Sequence, residues 1–534
     1  MPPSFFDENE RRLAHMQAAR DRARAAEQLR LTSIVGAHGA LFTSIRRGSL
    51  AADDRLDEAT LVPMFSASRN SIRGALKLLA AEGVVSRSPR LGTKVVSLPV
   101  EVPINVGNGW DPAAAPHQTI VTDARWVAST PVSRHYLRTE ESAVFQLEVT
   151  DLFEGRPALL YTRFTLAEGA ERPLVTGEEG DDFHAVFKAA YGSPLARVEC
   201  WIEAKAADES AARRLEVEPG TPLIVKSRVL WDATGAPREY SIGHYPAATV
   251  SLTSHVDAHV DFQAGGLAAS PADAVPARTE VKHAAVTDEV PPEELRHRSI
   301  PDLHTEIRTA IRDGMVSPGA QLDEHDIEVA FGADPTTVHS VVEQLRAEGL
   351  VRRDPATGTL TATPITDLTL DSGVPYSSSE GPRYEGELLA SARIQMPPFL
   401  GELLPAGSDR VLIDEHLVRL DGRPIMIFVR YSDGRLARPR TLTLENTTED
   451  FETLFTRSYG LAPGRIESWV HAIRADDQIA PRLQVRPGSM LLLLERLTHD
   501  AKGELRELSH SYIAAGPVAL HAGHEMETPQ RMTA

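Results

Sequence analysis

The chain has 534 residues, 56 Lys/Arg against 75 Asp/Glu and a net charge of −19, with 42% apolar and 25% charged residues. That length exceeds what one hydrophobic core supports and predicts three or four domains, and no apolar run approaches the roughly 20 residues a bilayer-crossing helix needs. The single cysteine, Cys200, excludes an intrachain disulfide and a multi-cysteine zinc site, and the acidic balance excludes a protein that coats nucleic acid without regard to sequence.

In chain order, residues 1–35 form a charged N-terminal extension without the apolar core of a secretory signal, which predicts a cytoplasmic protein. Its basic, Ala-rich part, Glu10 to Arg30, reads as a helix with a solvated face. Residues 36–97 form a first compact unit, followed by a Pro/Gly/Asn-rich linker and a larger domain over 119–255. A Pro/Ala/acid-rich connector, 256–298, leads into a second pass through the same order. There a compact unit spans 299–365, a larger domain spans 383–517, and 518–534 is expected to be a disordered tail. Segment 41–96 realigns with 303–362 at an offset of about 266 residues, a period that indicates domain duplication rather than a solenoid.

The larger domains repeat too. Phe183, Phe187, Tyr191 and Gly192 match Phe451, Phe455, Tyr459 and Gly460, an i, i+4, i+8 stripe closed by glycine that predicts a helix in each copy. Asp421-Gly422 is a hairpin signal, and β-rich runs follow Gly220 and Gly488, so both domains read as α+β with antiparallel strands. Cys200 corresponds to Ser468, which favours a packing role for the thiol.

In the first compact unit, Leu56 to Phe65 and Ser68 to Ala81 read as two helices around a tight turn at Ser66-Ala67. Ser68 is the N-cap, Ile72, Leu76 and Leu79 form the apolar face, and Gly83 is the stop. Arg69, Asn70, Ser71 and Arg73 occupy the polar first turns, where a helix entering a major groove meets base edges and phosphates. Val84 to Val96 reads as two strands around a basic tip, the wing of a winged helix-turn-helix.

Ile45-x-x-Gly48, Leu56, Ser68-Arg69-Asn70-Ser71-x-Arg73, Ala75-Leu76-x-x-Leu79, Glu82-Gly83-Val84-Val85 and Gly92-Thr93-x-Val95 together resemble the GntR family of bacterial transcription regulators. The resemblance implies DNA contact by Ser68, Arg69, Asn70, Ser71, Arg73 and Gly92, and the neighbouring Arg46, Arg87, Arg90 and Thr93 complete the expected set. Ala59 stands where many members carry an arginine, a contact that Arg46, Arg47 or Arg55 would have to replace. The second copy keeps Ile311-x-x-Gly314, Leu322, Val338, Leu345 and Glu348-Gly349-Leu350-Val351 but replaces Ser68, Arg69 and Arg73 by Asp334, Pro335 and His339. Nine Lys/Arg against five Asp/Glu over 36–97 become five against eleven over 302–363. The expectation is a degenerate second reader, with Thr336, Thr337, Arg352 and Arg353 left to rescue some contact.

The domain order, with Tyr191-Gly192, Leu215 to Gly220, Asp232-x-x-Gly235-x-Pro237-x-Glu239 and Tyr245, looks like the UTRA effector domain of the HutC branch of that family. The resemblance implies a chorismate-lyase-like α+β fold, twice, each preceded by a winged helix. It implies a small-molecule effector facing Glu239 and Tyr245, with Glu507 and Ile513 as equivalents and Tyr512 one position earlier; Tyr161, Arg228 and His244, and Phe428 and Arg496, complete the expected linings. Sugar-phosphate binders of the branch carry an R-x-R pair where this chain has Val149 and Asp151, and His416 and Val418. That departure predicts a flatter or more apolar ligand.

No metal-ligand spacing, phosphate loop or nucleophile elbow is present in the sequence, so the expectation is a non-enzyme that needs no cofactor. The function expected is a ligand-responsive repressor, homo-oligomeric, binding double-stranded operator DNA and no membrane. The alternatives are a second half acting as an interaction or dimerisation scaffold, and a chorismate-lyase-like enzyme.

Overall fold

The computed structural model describes residues 34–51, 54–88, 92–96, 99–104, 117–166, 183–257, 302–317, 319–354, 360–370, 384–404, 409–433 and 451–525. The expected helix at 10–30 and nearly all of the connector at 256–298 lie outside the described residues.

The first winged helix comprises α1 (Ile34–Arg46), α2 (Glu58–Met64), α3 (Arg69–Ala81) and the hairpin β1 (Val85–Ser88) with β2 (Gly92–Val95). Ser66 turns the chain between α2 and α3 at φ 48°, Ser68 caps α3 by accepting the Ser71 amide at 3.0 Å, and Gly83 ends the helix at φ 79°. Ile72, Leu76 and Leu79 are fully buried, as their spacing predicts.

Next come β3 (Val100–Pro103), β4 (His117–Ala128), α4 (Pro131–Leu137), β5 (Ala143–Phe153), β6 (Arg156–Thr165) and α5 (Phe183–Tyr191). They are followed by β7 (Leu195–Ala206), α6 (Glu209–Arg214), β8 (Pro222–Asp232), β9 (Pro237–Pro246) and β10 (Val250–Asp257). The second half opens with α7 (Leu303–Arg312), β11 (Gln321–Leu322), α8 (Glu324–Phe331), α9 (Pro335–Ala347), β12 (Val351–Arg353) and β13 (Leu360–Ala362). It continues through β14 (Thr366–Thr369), β15 (Tyr384–Gln395), α10 (Pro398–Gly401), β16 (Arg410–Leu420), β17 (Arg423–Asp433) and α11 (Phe451–Tyr459). The last elements are β18 (Pro463–Arg474), α12 (Ile479–Leu483), β19 (Met490–Asp500), β20 (Leu505–Ala514) and β21 (Val518–Glu525). Both β5–β6 and β16–β17 turn on a left-handed pair, Glu154-Gly155 at φ 49° and 78° and Asp421-Gly422 at φ 48° and 78°, which matches the twist of the flanking strands.

The chain forms two compact units that each draw on both halves: residues 1–98 with 377–464 and 495–511, and residues 99–376 with 465–494 and 512–534. In the second of these, one eight-stranded sheet has the order β14-β21-β7-β8-β9-β6-β5-β4. The two strands at one edge, β14 and β21, come from the second half of the sequence. β21 pairs antiparallel with β7 (Leu520 opposite Ile202), while β10 leaves its own half to pair with β18 (Leu252 opposite Val470). The parallel strands β3 and β14 flank β10 and β21 in matching register, Val100 opposite Val250 and Thr366 opposite Val518. The two halves therefore exchange their last strands reciprocally, in registers that are images of each other under the repeat.

This exchange corrects the sequence expectation at three places. The linker after residue 97 contains β3, the linker after 365 contains β14, and the tail at 518–534 begins as β21, buried at Val518, Ala519 and Leu520. None of the three carries a long alternating pattern, and a partner strand distant in sequence supplies their order.

The winged helices are exchanged as well. α7 is buried along its length against the first half's sheet. Asp302 meets Lys205 at 2.7 Å and His244 at 2.6 Å, Glu306 accepts from Thr130 at 2.7 Å, and Arg308 binds Glu203 at 2.7 Å and the Ala515 carbonyl at 2.5 Å. In the other unit, α1 meets the second half's strands: Arg46 forms a bidentate pair with Glu495 at 2.7 and 3.3 Å, Thr43 meets His510 at 2.9 Å, and the Tyr431 hydroxyl donates to the Gly36 carbonyl at 2.7 Å.

Candidate nucleic-acid interface and effector sites

At the start of α3 the exposed side chains are Arg69, Asn70 and Arg73. Glu58, at the first turn of α2, organises them: Arg73 holds it bidentately at 3.1 and 2.9 Å, and Arg69 reaches it at 3.6 Å. The hydrogen bond from Arg73 holds the Glu58 carboxyl below the usual carboxylate range, although burial opposes it. With 67% and 57% of their side-chain surface exposed, both arginines can turn toward a phosphate or a guanine edge. Arg87 is exposed on β1, and Gly92 opens β2 in the left-handed region at φ 82°, a conformation that leaves glycine as the unstrained choice at the wing.

Three expected DNA contacts sit elsewhere. Arg46 is 5% exposed and committed to Glu495, Ser71 is buried with its hydroxyl 2.7 Å from that of Ser68, and Thr93 is buried in the hairpin, its carbonyl accepting the Leu56 amide at 2.8 Å. Burial against protein leaves these side chains no path to a groove. Arg90 lies outside the described residues; Arg47 and Arg55 are exposed.

The second head keeps the frame and changes its charge. Asp334 caps α9, accepting the Thr337 amide at 2.9 Å, and the Thr337 contacts hold its carboxyl below the usual range, so it stays ionised. His339 takes the place of Arg73 against Glu324, 3.2 Å away, and Pro335 stands where Arg69 would be.

The expected effector residues divide by strand parity, because neighbours along a strand point to opposite faces. Tyr161 and Arg163 on β6, Arg228 and Lys226 on β8, and Glu239, Gly243 and Tyr245 on β9 share one face by register. The Tyr161 hydroxyl donates to Glu239 at 2.5 Å, and Arg228 donates to that hydroxyl at 2.5 Å and to Glu239 at 2.8 Å. Burial pushes the Tyr161 and Tyr245 phenols up, so both remain neutral donors. A Cβ at Gly243 would stand 3.0 Å from the Tyr245 ring, so glycine gives that ring its room. α5 covers this face with its aromatic stripe, Phe183 lying 6.0 Å from the Arg228 guanidinium.

His244 is on the opposite face, bonded to Asp302 of α7, with its pKa lowered by burial and by the Lys205 ammonium. It is part of a docking junction and not of an effector lining. Tyr512, the equivalent position on β20, is fully buried and likewise stands at odd spacing from Glu507.

In the second larger domain, Arg430 pairs with Asp414 and, at 3.1 Å, with Glu507, which also accepts from the Tyr459 hydroxyl at 2.8 Å. Phe428 lies beside His416 with ring centroids 6.3 Å apart and the planes tilted by 42°, and Arg496 is buried on β19. Arg163 and Arg430 escaped the sequence reading. The signal was the matched pair Tyr161-Thr-Arg163 and Phe428-Val-Arg430, since i, i+2 on a strand places the arginine beside the aromatic ring. Cys200 is buried, its thiol 3.7 Å from the Ile104 carbonyl, and burial pushes the thiol up, which fits packing and not redox chemistry.

Two winged helices and two α+β domains with a helix-covered sheet face define a class: a DNA-binding regulator with attached α+β domains. The family model described as bacterial regulatory proteins of the gntR family matches residues 36–95 and 302–360, and that of the UTRA domain matches residues 115–251 and 379–516, so the chain belongs to the GntR family of transcriptional regulators with UTRA domains, each in two copies. It is 24% identical over 202 residues to the probable transcriptional regulator PhnF of Escherichia coli K12, covering 37% of this chain and 83% of that protein. Among solved structures it is similar to PhnF from Mycobacterium smegmatis, with 21% identity, 40% of this chain, 93% of that one and a TM-score of 0.28. It is also similar to the C-terminal domain of the histidine utilization repressor from Pseudomonas syringae, with 20% identity, 25% of this chain, 92% of that one and a TM-score of 0.21.

Proposed function

We propose that this chain is a ligand-responsive repressor, cytoplasmic and non-enzymatic, that reads operator DNA with its first winged helix and binds a small-molecule effector in a UTRA domain. The observation that carries the reading is the contrast between matching helix starts. Arg69, Asn70 and Arg73 are exposed on α3, where α9 presents Asp334, Pro335 and His339. A positive start attracts phosphate and can read guanine, whereas a fixed carboxylate there repels it.

Arg69→Ala and Arg73→Ala are each expected to cost about 1 to 3 kcal/mol in specific operator binding, measured by mobility shift. Normal binding by both variants would sink this assignment. The strand exchange favours a companion role for the second half: it occupies the place a partner subunit would take, as a built-in dimerisation scaffold.

A further inference from the structure

Among the described residues, three buried side chains on the helix-covered face of the first UTRA sheet carry polar atoms with no hydrogen-bond partner. The Lys226 ammonium is 3% exposed and makes no hydrogen bond; its near neighbours are the Tyr245 ring at 5.6 Å, the Cys200 thiol and the like-charged Arg228. Arg163 is 1% exposed, with Nε and one Nη unbonded and Glu239 no nearer than 3.8 Å. The Tyr191 hydroxyl at the end of α5 is buried and unbonded, within the field of Arg163, Glu239 and Arg228. A buried charge without a partner costs several kcal/mol and is retained where something else compensates it.

The second copy shows the same positions closed. Leu147, opposite Arg163 on β5, is replaced by Asp414, opposite Arg430 on β16, and that carboxylate pairs with the arginine. Tyr459, the match of Tyr191, donates to Glu507 at 2.8 Å, and Leu494 stands in the place of Lys226. The first face has three cations, Arg163, Lys226 and Arg228, against Glu239 and against Asp151, which accepts from Thr119 at 2.7 Å. The second has Arg430 and Arg496 against Asp414 and Glu507.

We infer that the first UTRA domain binds a small organic anion, its carboxylate or phosphate group received by Lys226, Arg163 and the Tyr191 hydroxyl, and that the second UTRA domain is self-neutralised and does not bind it. This rests on the effector reading above and names its ligand class. The charge comes from β6 and β8, which is why the absence of an R-x-R pair at Val149 and Asp151 does not leave the site without cations. Tyr161, Tyr245 and Phe183 around the cations suit a planar or ring-bearing body. Burial, with the like charge of Arg228 adding to it, lowers the Lys226 ammonium to about 8, and an anion at the site raises it again.

The test uses the full chain at constant ionic strength, titrated calorimetrically and by thermal shift with phenyl phosphate, benzoate, inorganic phosphate and neutral benzyl alcohol. At least one anion is expected to bind and raise Tm where benzyl alcohol does not, with phenyl phosphate against benzoate distinguishing the two head groups. Lys226→Leu, which copies the second domain, is expected to raise the ligand-free Tm and to weaken anion binding about tenfold or more, the worth of one charge-assisted contact. Arg430→Leu is expected to leave anion affinity unchanged. Absence of binding by every anion, or unchanged affinity in Lys226→Leu with its Tm raised, overturns the anion assignment. The broader effector reading fails separately, if no small molecule that binds the chain alters operator affinity.

Discussion

Glu58 illustrates how one side chain can set the resting state of a reading surface. It holds Arg69 and Arg73 across the α2–α3 turn and competes with DNA phosphates for them. Exposed pairs of this kind contribute only about 0.2 to 1 kcal/mol, so DNA can displace it at modest cost. Glu58→Gln is expected to strengthen operator binding severalfold, most at low salt, and to steepen its salt dependence, measured by mobility shift across a salt series; weaker binding would show that Glu58 orients the arginines productively. Two other residues make winged-helix docking sensitive to pH in opposite directions. Burial and nearby Asp302 raise Glu306 to about 8 against the help of Thr130. A carboxyl raised in the folded state contributes stability below its unfolded pKa and loses it as pH rises toward 8, so Glu306→Gln is expected to raise Tm most at the alkaline end. His510, beside Thr43, is lowered by burial to about 4. Its contribution is present above the unfolded value and lost as pH falls from about 6.5 toward 4.

At the scale of elements, α3 and α9 show that a capping frame and a reading function separate cleanly. Ser68 and Asp334 both cap, and both helices bury an apolar stripe, five residues in α3 and Val338, Val342 and Leu345 in α9. What differs is the sign of the charge placed on the frame. Ser68→Ala is expected to cost about 1 kcal/mol of stability by leaving the Ser71 amide uncapped, read by denaturant unfolding, while Ser68→Asp should preserve stability and weaken DNA binding. If Ser68→Asp binds DNA normally, the charge argument for the degenerate head fails.

For the whole molecule, the consequence of exchanging β10 and β21 is that each half lacks a strand of its own sheet. A first half cut after residue 257 exposes the edge of β7 and carries a free β10 with the register of β21. Two such fragments are expected to exchange β10 and dimerise, detected by light scattering, because an unpaired buried edge is costly and the complementary strand is present. A monomeric, folded fragment would show that the exchange is dispensable. If the proposed reading holds and only the first head reads DNA, a palindromic operator is expected to bind at least two chains, counted by native mass spectrometry.

The sequence by itself determined the repeated order of domains, the helices α3, α5, α9 and α11, the hairpin turns and the change of charge at the start of the second reading helix. Those rest on local chemistry: caps, glycine stops, apolar spacing and charge. The resemblance to the UTRA domain singled out Tyr161 and Glu239, and matched strand positions singled out Arg228; the structure joins the three by hydrogen bonds. The tertiary structure alone decided that Arg46 is a docking residue, that His244 faces α7, and that Lys226, Arg163 and Tyr191 bring buried polar atoms without hydrogen bonds to one face. It alone turned two linkers and a tail into β3, β14 and β21. Each of these depends on which strand lies beside which, and neighbours hundreds of residues apart leave no trace in local pattern; the partner supplies the hydrogen bonds and the buried surface that make such short segments strands.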